Sequence, residues 1–513
     1  GLMLYVFVVA SYKAITLAAE MLLGWQTILI FMVLDAFFIA LLLSIGILHG
    51  YARSKILRLL YWLALVFMSF IYLVDSFVLL ALDEHAPLFE IGRFSPELGV
   101  VLSFFDAWAY GAIFLLLLAM FISCVFTAAV KKTSFILLLL TFLCGGLAVV
   151  YAPQPLARYA MLSPVGLLEA IGPQPHVSSY SAQQIDFFSS LELETVAIPA
   201  SKPDIILLII ESLSSIHSKK ISDAADLLAD FDKLAEKGLL FRNFFANHQA
   251  SEGGLIALLG GYPPMHFPTA TPYMFDEFAI QHSVITEYRQ LGYFTEFLTN
   301  SDLAFIGLNR YLDGLGLDRS RGRDEIDALR VAPRVVQDAP SDDFLYLEAL
   351  LTIQRLSQAE QPFLLVIATT STHLPYTHPD NGPDTAEAVW EWSMQQLVKF
   401  YWQLSDNGFF EQGILLITSD HRHMRPLTKL ETDRYGGSAR ARVPLLVMGD
   451  GYPAGVIDQR FFQQSDLLRM LRKIQDTDAR LSPHPLWVER YNRQYGQIKL
   501  IDSLSVFDEA DNG

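Results

Sequence analysis

DIILLIIES, residues 204–212, is a continuous apolar run that breaks off at a carboxylate. A strand with one wet face alternates apolar and polar residues, whereas an unbroken run of this length suits a strand buried on both faces in a parallel sheet. Three more runs share the pattern: FLLVIATT (363–370), GILLITS (413–419) and PLLVMGDG (444–451). Between and around them lie stretches with helical spacing, at 223–238, 282–292, 344–358, 388–405 and 463–474. Strands alternating with helices predict an α/β sandwich with a mostly parallel central sheet. In such sheets the chemistry sits just beyond the carboxyl ends of the strands.

Three of these strand ends carry groups fit for catalysis. The first meets Glu211, the second runs through Ser371 and Thr372 to His373, and the third meets Asp420 and His421, with His423 two residues on. Carboxylate oxygen and imidazole nitrogen together suit zinc or manganese. A nucleophile is then needed. NHQASEGGLIALLGGYPP (247–264) places Ser251 ahead of two glycines and an apolar, helix-like run. A serine there is commonly only an N-cap. Beside a divalent metal, however, its hydroxyl becomes an activated nucleophile.

The N-terminal third is of another kind. The chain has 513 residues, 52% of them hydrophobic, and much of that excess falls before residue 152. Five apolar runs, near 4–22, 27–49, 59–82, 100–129 and 134–151, approach the length that spans a bilayer. Basic connections at Arg53, Lys55 and Arg58 and at Lys131 and Lys132 read as cytoplasmic, and the acidic connection 83–97 as external. This predicts a five-helix transmembrane domain over 1–152, a connector over 153–200, and an extracytoplasmic catalytic domain over 201–513. The connector stretch 157–172 has the make-up of a short interfacial helix. Asp35, Asp75 and Asp106 fall inside the spans, where an ionisable group marks either function or a helix-to-helix hydrogen bond. The net charge of −17 argues against a nucleic-acid partner. The two cysteines, Cys124 and Cys144, lie in apolar runs, so the domain after residue 200 holds neither disulfide nor thiol metal site.

The motifs after residue 200 resemble, in order, the lipoteichoic acid synthase and phosphoglycerol transferase branch of the alkaline phosphatase and sulfatase superfamily. IIES is similar to its metal-binding Glu at Glu211, and SEGGLIALLGG to its nucleophile element, with Ser251 where Thr is usual. LNRYLDGLGLD (308–318) looks like its Asn-Arg stretch and points to Arg310. TSTHLPY (370–376) matches its step before a Pro and an aromatic, which makes His373 a phosphate-binding residue. SDHRH (419–423) supplies Asp420 and His421, and RVPLLVMG (442–449) looks like the closing strand. Two departures stand out: Ser for Thr at 251, and Arg422 in place of the Gly after Asp-His.

The resemblance implies one divalent ion, manganese or zinc, held by Glu211, Ser251, Asp420 and His421. Ser251 would be the nucleophile, and Arg310, His373 and His423 substrate contacts. It implies a bacterial inner-membrane transferase. The group moved is phosphoglycerol, from a phospholipid such as phosphatidylglycerol to a glycan or polyglycerolphosphate acceptor. A phosphoethanolamine transferase and a non-catalytic lipid-binding regulator of the same fold are the alternatives. The lack of cysteine after residue 200 favours the phosphoglycerol branch over the first. The joint retention of Glu211, Ser251, Asp420 and His421 speaks against the second.

Overall fold

The computed structural model describes residues 195–481, except 225–226, 263, 265–274, 276–282, 375, 425–426, 477 and 480. It also describes parts of 54–68 and the strands Leu486–Glu489 and Ile498–Ile501. The five expected spans, the interfacial stretch, Asp35, Asp75 and Asp106 lie outside the described residues, apart from fragments of the third span. Among the described residues no helix is long and apolar enough to cross a membrane.

The chain divides into two compact units, and the sheet belongs to the one built mainly from His176–His423 and Leu430–Gly513. Its strands are β1 (Asp204–Ile210), β2 (Leu239–Phe245), β3 (Phe294–Thr299), β4 (Arg319–Arg321), β5 (Phe363–Ala368), β6 (Gly413–Ser419), β7 (Leu445–Gly449) and β8 (Val456–Gln463). They form one sheet in the order β4-β3-β5-β1-β6-β7-β2-β8. All neighbours run parallel except at β7, which is antiparallel to both β6 and β2. Two reversals cancel, so β2 runs the same way as β1 and β6 and leaves the sheet at the same edge.

The three central strands are the unbroken apolar runs, and burial explains why. Side chains alternate faces along a strand. Ile205, Leu207 and Ile209 enter one core with Leu364, Val366 and Leu416. Ile206, Leu208 and Ile210 enter the other with Leu365, Ile367 and Leu415. Each fully buried Ile or Leu contributes about 1.5–3 kcal/mol. The first core is closed by α4 (Val284–Gln290) and α5 (Leu308–Leu315), through Val284, Tyr288, Tyr311 and Leu312. The second is closed by α2 (Ala229–Leu234), α7 (Asp342–Ser357) and α8 (Ala386–Asp406), through Phe231, Leu345, Ile353, Trp390 and Leu397. The shorter helices are α1 (Lys219–Ser222), α3 (Ser251–Leu255), α6 (Asp327–Val331), α9 (Lys429–Tyr435) and α10 (Leu471–Ile474).

Two expected helices are different. The one over 223–238 is formed by α2, Ala229–Leu234, and the 3-10 turn Ala235–Lys237. The helix expected over 463–474 is a 3-10 turn, Gln464–Arg469, followed by the single turn α10. Gln463 still belongs to β8, and Gln464 and Ser465 spend their polar groups on loops at the sheet edge rather than on an i→i−4 ladder.

Candidate active site

Register fixes what meets at the carboxyl edge. Ile210 pairs with Ser419, so the next residues, Glu211 and Asp420, leave the sheet side by side. Both are buried, at 7% and 3% exposure, as is His421. The turn after β1 is strained: Ser212 has φ 57, a left-handed value that a non-glycine residue seldom adopts. The strain holds Ser212 where its N–H donates to Asp420 Oδ1 (2.9 Å) and its hydroxyl to Glu211 Oε1 (2.7 Å). The loop after β5 grips the same turn, since Thr369 Oγ1 accepts from Glu211 N (3.2 Å) and Thr372 Oγ1 donates to Glu211 O (2.6 Å).

Ser251 begins α3, which runs straight into a π-helical turn, Ile256–Gly260. The two glycines after it are needed for close approach. A Cβ on Gly253 would stand 2.1 Å from His248 Cγ, and one on Gly254 only 2.2 Å from the Asp420 carbonyl oxygen. The absence of side chains lets α3 lie directly on the loop after β6. Ser251 Oγ is thereby 3.4 Å from Glu211 Oε2 and 3.2 Å from His421 Nε2.

The donor set suits a metal ion. Glu211, Asp420 and His421 each offer a ligand atom, all within 4.8 Å of one another. Asp420 Oδ1 accepts from two backbone donors, Ser212 N and His421 N. Its Oδ2 faces His421 Nε2 at 3.3 Å. In the tautomer where His421 Nδ1 donates to Arg422 O (2.7 Å), Nε2 keeps its lone pair for a metal. Two carboxylates, an imidazole and a hydroxyl make an O/N set of the kind zinc and manganese take.

Without an ion the group holds protons instead. Burial works against a charge on Glu211, but hydrogen bonding and attraction from His421 outweigh it and hold Glu211 far below the ordinary carboxylate range. Burial, and then the Glu211 charge, push Asp420 up to about 7. Burial disfavours charged His421, yet Asp420 and Glu211 raise it to about 9.

The remaining expected residues are placed unequally. His373 is half-buried and close enough for its charge to act on Glu211. Its ring contacts the Leu374 carbonyl at Nδ1, and Gln337 Nε2 lies 2.7 Å from its Nε2. Gln337 comes from a tight turn, Val336–Ala339, whose central residues both have positive φ (49 and 56). Arg310 is exposed on α5. His423 is buried and turned to an aromatic cluster, stacked on His217 with centroids 5.0 Å apart and 5.5 Å from Trp390. It is not in the group that could share an ion. Arg422 is buried in a two-pronged pair with Glu431 of α9, both bonds 2.8 Å, and donates to the His423 carbonyl at 2.6 Å.

A half-buried hydroxyl against Glu211 and His421, with Asp420 beside them at the carboxyl edge of a mostly parallel sheet, is an arrangement of the alkaline phosphatase and sulfatase class of fold. The family model described as Sulfatase matches residues 203–472, and the chain belongs to that family. Phosphoglycerol transferase I of Salmonella arizonae is 24% identical over 149 residues, covering 26% of this chain and 19% of that protein. The match thus spans about a fifth of that relative's length. A protein of the alkaline phosphatase superfamily from Vibrio parahaemolyticus superposes with TM-score 0.49 at 17% identity, over 62% of this chain and 86% of its own. The lipoteichoic acid synthase LtaP of Listeria monocytogenes does so with TM-score 0.47 at 17% identity, over 58% and 79%.

Proposed function

We propose that the chain is a membrane-bound, metal-dependent phosphotransferase. It moves phosphoglycerol from a phospholipid, phosphatidylglycerol by preference, to a glycan or polyglycerolphosphate acceptor. The observation that carries this reading is the Ser251 hydroxyl, 3.4 Å from Glu211 and 3.2 Å from His421 within the buried carboxylate–imidazole group. The similarity to a phosphoglycerol transferase supports the choice of group.

Glu211, Asp420, His421 and Ser251 would hold one zinc or manganese ion, which when bound lowers the pKa of the serine hydroxyl and offsets charge on phosphate oxygen. Ser251 Oγ bonds to phosphorus, and the ester bond to the diacylglycerol oxygen breaks. The serine proton ends on the released diacylglycerol. An acceptor hydroxyl then attacks the phosphorus, Ser251 leaves, and the acceptor's proton returns to it. His373 steadies phosphate oxygens through Nε2, in place of the Gln337 contact that this nitrogen makes here. Arg310 takes part from α5, and His423 flanks the group through the aromatic cluster.

The test is chemical. With phosphatidylglycerol present and acceptor withheld, the peptide containing Ser251 should gain the mass of a phosphoglycerol group. Ser251→Ala should lose transfer by many orders of magnitude, the usual result of removing a nucleophile, while Ser251→Thr should keep it. Near-normal transfer by Ser251→Ala sinks the assignment.

A further inference from the structure

The nucleophile and two of its three neighbours reach the site on two separate chain segments. Ser251 follows β2 by way of residues 246–250, and Asp420 and His421 follow β6. Their alignment within a few tenths of an ångström decides whether Ser251 can share a site with the other three, because such constellations tolerate little looseness.

One side chain touches both segments. Gln464 opens the 3-10 turn after β8 and is fully buried. Its Nε2 donates to the carbonyls of Ser419 and Asp420, both at 2.7 Å, and its Oε1 accepts from Asn247 N at 3.1 Å. The Asp420 carbonyl that receives this bond is the same atom against which Gly254 packs. Asn247 is held a second time by the neighbours of Gln464. Its side chain donates to Gln463 Oε1 (3.0 Å) and accepts from Ser465 N (2.9 Å). Gln463, as buried as Gln464, bonds to Asn247 and Asp466.

The geometry points to Gln464 as the positioning residue that sets the register of the Ser251 segment against the Asp420–His421 loop. This role rests on the metal reading given above. Only a primary amide offers two donors and an acceptor in one plane here. A carboxylate would face two carbonyl oxygens with no proton to share, and a thioether of the same length would fill the space and make no bond.

The test uses the full chain, with Mn2+ and Zn2+ as probes and Gln396→Met, which removes a buried amide of α8 bonded to Lys399, as the control. Wild type should bind one ion. Gln464→Met and Gln464→Glu should bind it about 10- to 100-fold more weakly, the usual effect of removing a partner that orients ligands. Turnover should fall through kcat, with KM little changed. Gln396→Met also loses a buried amide, yet should keep metal affinity within about threefold, well under the tenfold that marks loss of such a partner. Equal losses of affinity in Gln396→Met and Gln464→Met overturn the proposal, because general packing would explain both. So does wild-type affinity in Gln464→Met. A wild-type chain that binds neither ion overturns the metal reading itself, and the positioning role with it.

Discussion

Glu211, Asp420 and His421 form a group that either a metal ion or protons can fill, and the two compete. Burial and the Glu211 charge raise Asp420 to about 7, and the carboxylates raise His421 to about 9. A ligand must lose its proton to bind. Metal affinity should therefore strengthen as pH rises through 7 towards 9, with protons released on binding, and weaken steadily below 7. Titration calorimetry in buffers of different ionisation enthalpy measures this directly, and an affinity flat from pH 6 to 9 would contradict it. Glu211→Gln and Asp420→Asn should lose the ion together, because each removes one of two anionic ligands from a buried site. Full metal content and full activity in both variants would mean that the site is elsewhere.

At the scale of elements, α3 and the loop after β6 are pressed together at Gly254. Alanine in a helix ordinarily stabilises it by about 1 kcal/mol over glycine. Here the new methyl would stand 2.2 Å from a backbone oxygen, which cannot swing aside as a side chain can. Gly254→Ala should instead destabilise by about 1–3 kcal/mol and lower metal affinity, as read by denaturant melts and metal titration. A gain in stability would show that α3 is free to shift. The Arg422–Glu431 pair ties α9 to the same loop with both side chains almost fully buried. Removing one partner of such a pair costs about 3–5 kcal/mol, and replacing both with apolar residues costs far less. Glu431→Leu should therefore be much worse than the double change with Arg422→Met. The same contrast explains what the sequence discloses. β1, β5 and β6 are readable because burial on both faces makes them uniformly apolar. Edge strand β8 mixes exposed and buried residues, and β3 carries Glu296, buried only because Arg321 and Arg355 meet it. Neither has a clean period. The candidate ligands stand at readable strand ends, whereas Ser212, Thr369, Thr372 and Gln464 act across separations such as 158 and 208 residues that no local pattern marks.

At the scale of the whole molecule, a lipid donor requires that the domain after residue 200 face the leaflet whose head groups it uses. The side expected for it follows from the charges between the apolar runs. Arg53, Lys55 and Arg58 follow the second run and Lys131 and Lys132 follow the fourth, while the connection at 83–97 is acidic apart from Arg93 and His85. Lysine and arginine in short loops are retained in the cytoplasm. If the five runs span a bilayer, two basic loops separated by two runs lie on the same side, as the rule asks of both. A fifth run would then carry the chain across once more, and the domain after residue 200 is expected outside. An alkaline phosphatase reporter fused after residue 200 should be active, and a fluorescent protein fused there after export through the general secretory route should be dark. The same pair placed at Lys132 should give the opposite result. Replacing Lys131 and Lys132 with glutamate removes one of the two basic loops and should produce a mixed population. Reporter activity at residue 200 confined to the cytoplasm would reverse the topology and remove the basis for an extracytoplasmic lipid donor, leaving the geometry around Ser251 to be explained by a soluble phosphoester instead.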